Sequence, residues 1–178
     1  MAYSFVENRA GMLNIDQTDS GVTMANGSSA VPTPPATLGQ VARAFDPTYG
    51  EGEFILLVGV ASTVVGSLVS YNATTYQTAL SANTANLAGP VAVAMSACTA
   101  ALFGWYQIGG LAVIKKTAVA TSPQVAVYQS ATTGRIMATA ASGKQILGAR
   151  SANLASVTST TSTVIVSINR PHKQGAVA

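Results

Sequence analysis

GEGEFILLVGVASTVVGSLVSYN, from Gly50 to Asn72, opens the longest uncharged stretch of this chain: after Glu53 no Asp, Glu, Lys or Arg appears until Lys115. A membrane hairpin, a very apolar folded core, or a surface that meets protein rather than water would each tolerate such a run. Phe54 to Tyr71 has the length of a spanning helix, and Val91 to Ile114 is similar, with Lys115-Lys116 as a fitting cytoplasmic flank. The pattern argues otherwise. The first run is rich in Val, Thr, Ser and Gly and then alternates, with Val65, Ser67, Val69 and Tyr71 on one face and Gly66, Leu68 and Ser70 on the other. The second is broken by Gly104 and by Gly109-Gly110, with Gln107 between them. Short Gly-bounded segments with period two read as strands.

Composition supports strands. Charged residues make up 8% of the 178 residues, against about 25% in an average soluble domain. Val and Thr suit a pleated surface, and helix-forming Glu, Lys and Arg are scarce. So little charge gives little protection against self-association, which predicts a protein that works inside an assembly. The charge is also segregated. All six acids (Glu7, Asp16, Asp19, Asp46, Glu51, Glu53) precede residue 54, beside only Arg9 and Arg43. The other seven cations lie from Lys115 onward, with no acid among them. Apart from Lys115-Lys116 they are spread singly, without the basic stripe and stacking aromatics that nucleic acid would require. Complementary faces between subunits or partners, or simply solvated charge, account for the asymmetry.

Residues 1–38 read as an extended N-terminal arm. They hold Asn26-Gly27-Ser28-Ser29 and then Pro32, Pro34 and Pro35, which do not build a packed element. Residues 39–171 read as a β-domain and 172–178 as a tail. Gln40 to Phe45 and Glu53 to Ala61 form a hairpin through Asp46-Pro47-Thr48-Tyr49-Gly50. Further strands fall near 66–71, 74–80, 91–96, 104–108, 110–115, 124–129, 134–140, 144–150 and 163–169. The fold class is all-β, a small barrel or sandwich of short strands. LVSYNATTYQTA (68–79) and VAVYQSATTGRIMATA (125–140) share a strand, an Ala-Thr-Thr turn and a second strand, through common hairpin chemistry or duplication.

The chemical inventory is thin. His172 is the only histidine and Cys98 the only cysteine, so one chain builds neither a Cys/His zinc site nor an internal disulfide. No G-x-S-x-G elbow accompanies the serines, and a P-loop through Gly143-Lys144 fails because position 138 is Ala. Asp46, Glu51 and Glu53 offer oxygens to a cation, but their spacing matches no calcium loop. Glu7 stands where a signal peptide needs an apolar core, so secretion is not expected, and the N-x-S/T matches at Asn26 and Asn72 read as chance. No enzymatic activity, cofactor or metal is expected. Trp105 and Tyr106, like Tyr71, Tyr76 and Tyr128, suit a core or a subunit contact. Tyr3 and Phe5 lie on the arm, with Arg9, where no local core is expected; these suit docking into a neighbour.

LGQVARAFDPTYGEGEFILLVGVASTVVGSLVSYN, GWYQIGGLAVIKK (104–116), VAVYQSATTGRIMATAASGKQILGARS (125–151) and TVIVSINRP (163–171) together resemble the capsid decoration, or cement, proteins of tailed bacteriophages. The resemblance covers roughly 38 to 171 and is most specific over Phe45 to Val65. It implies a small β-barrel on the outer surface of the virion, at capsomer junctions, as a homo-oligomer (trimer or dimer) whose partner is the major capsid protein. It carries over no catalytic residue. Another virion part, such as a head-fibre base or tail component, and a two-helix membrane protein are the alternatives.

Overall fold

The computed structural model describes residues 2–6, 12–22 and 33–176, and among them every regular element is a strand. Twelve antiparallel strands share one sheet that does not close on itself. The stretch quoted first supplies two of them. β4 (Gly50–Val58) pairs with β3 (Val41–Asp46) as the expected hairpin, and β5 (Leu68–Tyr71) returns beyond a loop. Both candidate membrane spans are thus strands, and no described helix is long and apolar enough to cross a membrane.

β4 is apolar without interruption because both of its faces are covered. Period two sends Ile55 and Leu57 into an inner core with Val69, Ala92, Ala94, Tyr106 and Ile108. Phe54 and Leu56 point the other way, into a second layer with Trp105, Met95, Tyr3 and Ile15. That second layer is roofed by the N-terminal segment itself. Residues 2–6 and 12–22 therefore correct the expected free arm: they pack on their own sheet, through β1 (Ser4–Phe5) on β3 and β2 (Thr18–Asp19) on β8 (Phe103–Lys115). An apolar stripe as wide as Phe54-Leu56-Trp105 is a costly surface to leave wet, and the nearest chain able to cover it is its own. The Asn26–Ser29 stretch and Pro32 lie outside the described residues.

The two strands expected at 104–108 and 110–115 are one, β8 (Phe103–Lys115). The first half of β8 runs beside β4 and touches β7 (Ala88–Ala94); its second half pairs with β12 (Thr163–Gln174). The change of partner falls at Gly109-Gly110. Gly110 has φ +93°, and a Cβ there would run into the Glu51 carbonyl, so only glycine fits this close, left-handed corner. β12 also takes in the first three residues of the expected tail: it continues through Arg170 to Gln174, where it pairs with β11 (Gln145–Ser151) and the start of β7. The 68–79 and 125–140 look-alikes are both hairpins, β5 with β6 (Thr78–Leu80) and β9 (Ala126–Gln129) with β10 (Ile136–Met137). A third core, around Leu68, Val93, Ile114, Ile146 and Val166, fills the β8–β12–β11–β9 half.

Asp46 ties the hairpin turn to the N-terminus. One carboxylate oxygen accepts the N–H of Thr48 (2.8 Å) and Tyr49 (3.1 Å), the other that of Ala2 (2.6 Å). Burial alone would raise this carboxyl, but the donated N–H groups of Thr48, Ala2 and Tyr49 outweigh it and hold it below the usual range. A depressed folded-state value contributes stability above the unfolded pKa of about 3.9, and that stability is lost as pH falls through the lower, folded value. Urea midpoints should therefore drop more steeply below about pH 4 for the parent chain than for Asp46→Asn. Parallel pH curves would count against this clasp.

Candidate protein-interaction surface

Three uncharged loops come together at one end of the molecule. They are the β4–β5 loop (59–67), the β5–β6 loop (72–77) and the β7–β8 loop (95–102). Main-chain bonds join the first loop to the third, Gly59 N–H to Leu102 O (2.7 Å) and Val60 N–H to Cys98 O (3.2 Å), and tie the second to the end of β4, Val58 N–H to Tyr76 O (3.1 Å). Gln77 adds its amide, Nε2 donating to Gly59 O at 2.9 Å. Gly59 is required by proximity, because a Cβ would strike the carbonyls of Cys98 and Thr99. Side chains set the turns as well. Asn72 Oδ1 accepts the N–H groups of Thr74 and Thr75, and Thr63 Oγ1 donates to Val60 O at 2.7 Å. What remains outside is Ala, Ser, Thr, Asn, Gln77 and two valines, Val64 at 40% and Val65 at 53% exposure. No charged side chain belongs to any of the three loops.

The predicted contact residues lie elsewhere. Tyr3, Trp105 and Tyr106 are buried within the chain itself, and Phe5 is half-buried. The Tyr3 ring meets Phe54 edge-on at 4.9 Å and Phe5 meets Trp105 at 5.4 Å. Tyr3 Oη donates to Leu111 O at 2.9 Å and Trp105 Nε1 to Leu13 O at 2.7 Å. These aromatics fasten the N-terminal segment to its own sheet, since both indole and phenol find their polar partners there. Tyr106 sits in the inner core, where burial pushes its hydroxyl far up. Arg9 lies outside the described residues.

Candidate chemistry is dispersed. Asp46 is spent on backbone N–H groups, while Glu51 and Glu53 pair with Arg43 (3.5 and 3.7 Å), and Glu53 also with Arg170 (3.3 Å). Among the described residues, no three of His, Cys, Asp and Glu gather as a metal would need. His172 is exposed on β12, opposite Leu147 and Pro90. Cys98 is buried, and burial pushes its thiol up. The Glu53 pairs are solvent-exposed on the arginine side, so Glu53→Gln should change stability by less than about 1 kcal/mol in a urea melt. A larger loss would show the ladder to be structural.

Lys116 is a residue whose role the sequence hid. Its side chain is 1% exposed, and its ammonium donates to Val119 O (2.8 Å), Thr158 O (2.9 Å) and Thr117 O (3.3 Å). Desolvation by burial lowers its pKa. Period two along β8 was the available signal, because Ala112 and Ile114 face inward and residue 116 follows in phase.

Compared with known proteins, the chain matches no family model, no curated protein and no solved structure.

Proposed function

We propose that this chain is a structural component of a tailed-phage head that binds the outside of the assembled shell, where capsomers meet, and braces it. One observation carries the reading: the uncharged run beyond Glu53 supplies, besides the inner core, an exposed surface of three loops held together by main-chain bonds and the Gln77 amide. Docking such a surface on protein desolvates no ion, and interface centres are depleted in charge for that reason. Loops already tied to one another lose little further freedom on binding. The low total charge and the resemblance of residues 38 to 171 to decoration proteins favour the same reading. Weak contacts then suffice, since an oligomer bridging neighbouring shell subunits sums them.

The test mixes purified protein with shells that lack it, followed by co-sedimentation. Saturable binding to emptied and tailless heads is expected, with Val65→Asp, a surface change, abolishing it while the thermal melt stays put. Binding only to particles with tails, or full binding by Val65→Asp, would overturn the proposal.

A further inference from the structure

The loop following β11 is fastened in an unusual way. Leu154 is 102% exposed, yet the chain on either side of it is fixed. Asn153 is buried and its amide donates to Thr121 O (3.1 Å) and Ala155 O (2.5 Å). Val157 pairs with Thr121 and packs against the third core. Thr158 gives its carbonyl to the buried Lys116 ammonium at 2.9 Å. An exposed leucine on a loose loop is ordinary. Here a buried amide and a buried ammonium hold the loop while its one large apolar side chain stands in water. A knob ordered in advance binds without the entropic cost of fixing a loop.

The same chain carries a cavity of the matching character. It has a volume of 490 Å³ beside β3 and is lined by the apolar Val6, Met12, Val41 and Ala42 and by the polar Gln40, Arg43, Glu51 and Glu53. Glu51 is 56% exposed on its side chain, and its pair with Arg43 at 3.5 Å is weak enough to exchange. The knob brings the opposite charge: Arg150 is exposed four residues before Leu154, and no acid follows Glu53 anywhere in the sequence.

We propose that Leu154 of one copy seats in the β3-side cavity of a second copy, with Arg150 approaching Glu51 and Glu53. Knob and cavity belong to different parts of the sheet, the strand order running from β3 and β4 at one end to β11 near the other. The contact is therefore head-to-tail, closing into a ring or continuing as a chain. It does not rest on shell binding, and it is read in solution without any shell.

Sedimentation velocity over a concentration series tests it, with the parent chain, Leu154→Asp, Val41→Asp and an equimolar mixture of the two variants. Both substitutions are at exposed positions, Val41 being 43% exposed, and an unchanged thermal melt verifies folding. The parent chain should self-associate. Each variant alone should associate roughly thirtyfold more weakly or worse, the loss of an interface hot spot. The mixture should give one-to-one dimers, because one intact knob still meets one intact cavity. A parent chain that stays monomeric, a variant that associates normally, or a mixture that stays monomeric would each overturn the proposal.

Discussion

Replacing Trp105 by alanine should cost about 4 kcal/mol and loosen the N-terminal segment from the sheet. The side chain is 1% exposed and among the largest fully buried ones, and truncating a buried aromatic costs about 3–5 kcal/mol. Three losses coincide. The apolar contact with Phe54, Leu56 and Met95 goes, the edge-on contact with Phe5 goes, and the Leu13 carbonyl loses its 2.7 Å donor. Trp105→Phe keeps most of the volume and removes only the donor, so it should cost about 1–2 kcal/mol. Chemical denaturation measures both, and limited proteolysis reports the segment. Cleavage within residues 2–22 should quicken in Trp105→Ala before the body unfolds. If both variants melt within about 0.5 kcal/mol of the parent, the roof over this face is not what holds the segment.

Lys116→Met should destabilise by about 3 kcal/mol, although it removes a buried charge and keeps the length of the side chain. The ammonium donates to three carbonyls at once, and a hydrogen bond made by a charged group contributes about 1.5–3 kcal/mol. Lys115, its neighbour in sequence, is half-exposed and points the other way. Lys115→Met should therefore change stability by less than about 0.5 kcal/mol. Equal effects of the two substitutions in urea would show that the ammonium does not organise the loop carrying Thr158. The pairing matters to the proposed self-contact, because that loop presents Leu154.

The sequence revealed strands well where one rule decided them. Period two within Val65–Tyr71, and Asp-Pro followed by Gly at 46–50, fixed β5 and the β3–β4 hairpin to within a few residues. Gly109-Gly110 looks locally like a strand break, but it is a corner: a left-handed glycine lets one long strand change partners without ending. Arg170 and Pro171 were read as leading into a tail, yet β12 runs through them, its register set by β11 and β7 rather than by local propensity. The N-terminal segment was misread for a related reason. Nothing local marks Tyr3 and Phe5 as core, because their partners, Phe54 and Trp105, are some 50 and 100 positions away in the chain. Those same partners look sufficient for an ordinary strand, so the need for a second covering layer shows only once both faces of β4 are seen. The candidate surface was legible as composition and illegible as a place. An uncharged run announces itself, whereas its division into a core and three tied loops depends on bonds between residues 40 positions apart.

Cryo-electron microscopy of tailed-phage particles incubated with the purified protein is the most direct test of the proposed role. Density for the twelve-stranded sheet on the outer shell at capsomer junctions, in icosahedral copy number and with the 59–67, 72–77 and 95–102 loops facing the shell protein, is the expected result. A bare shell with this density at the tail or fibres, or with those loops turned to solvent, would contradict it.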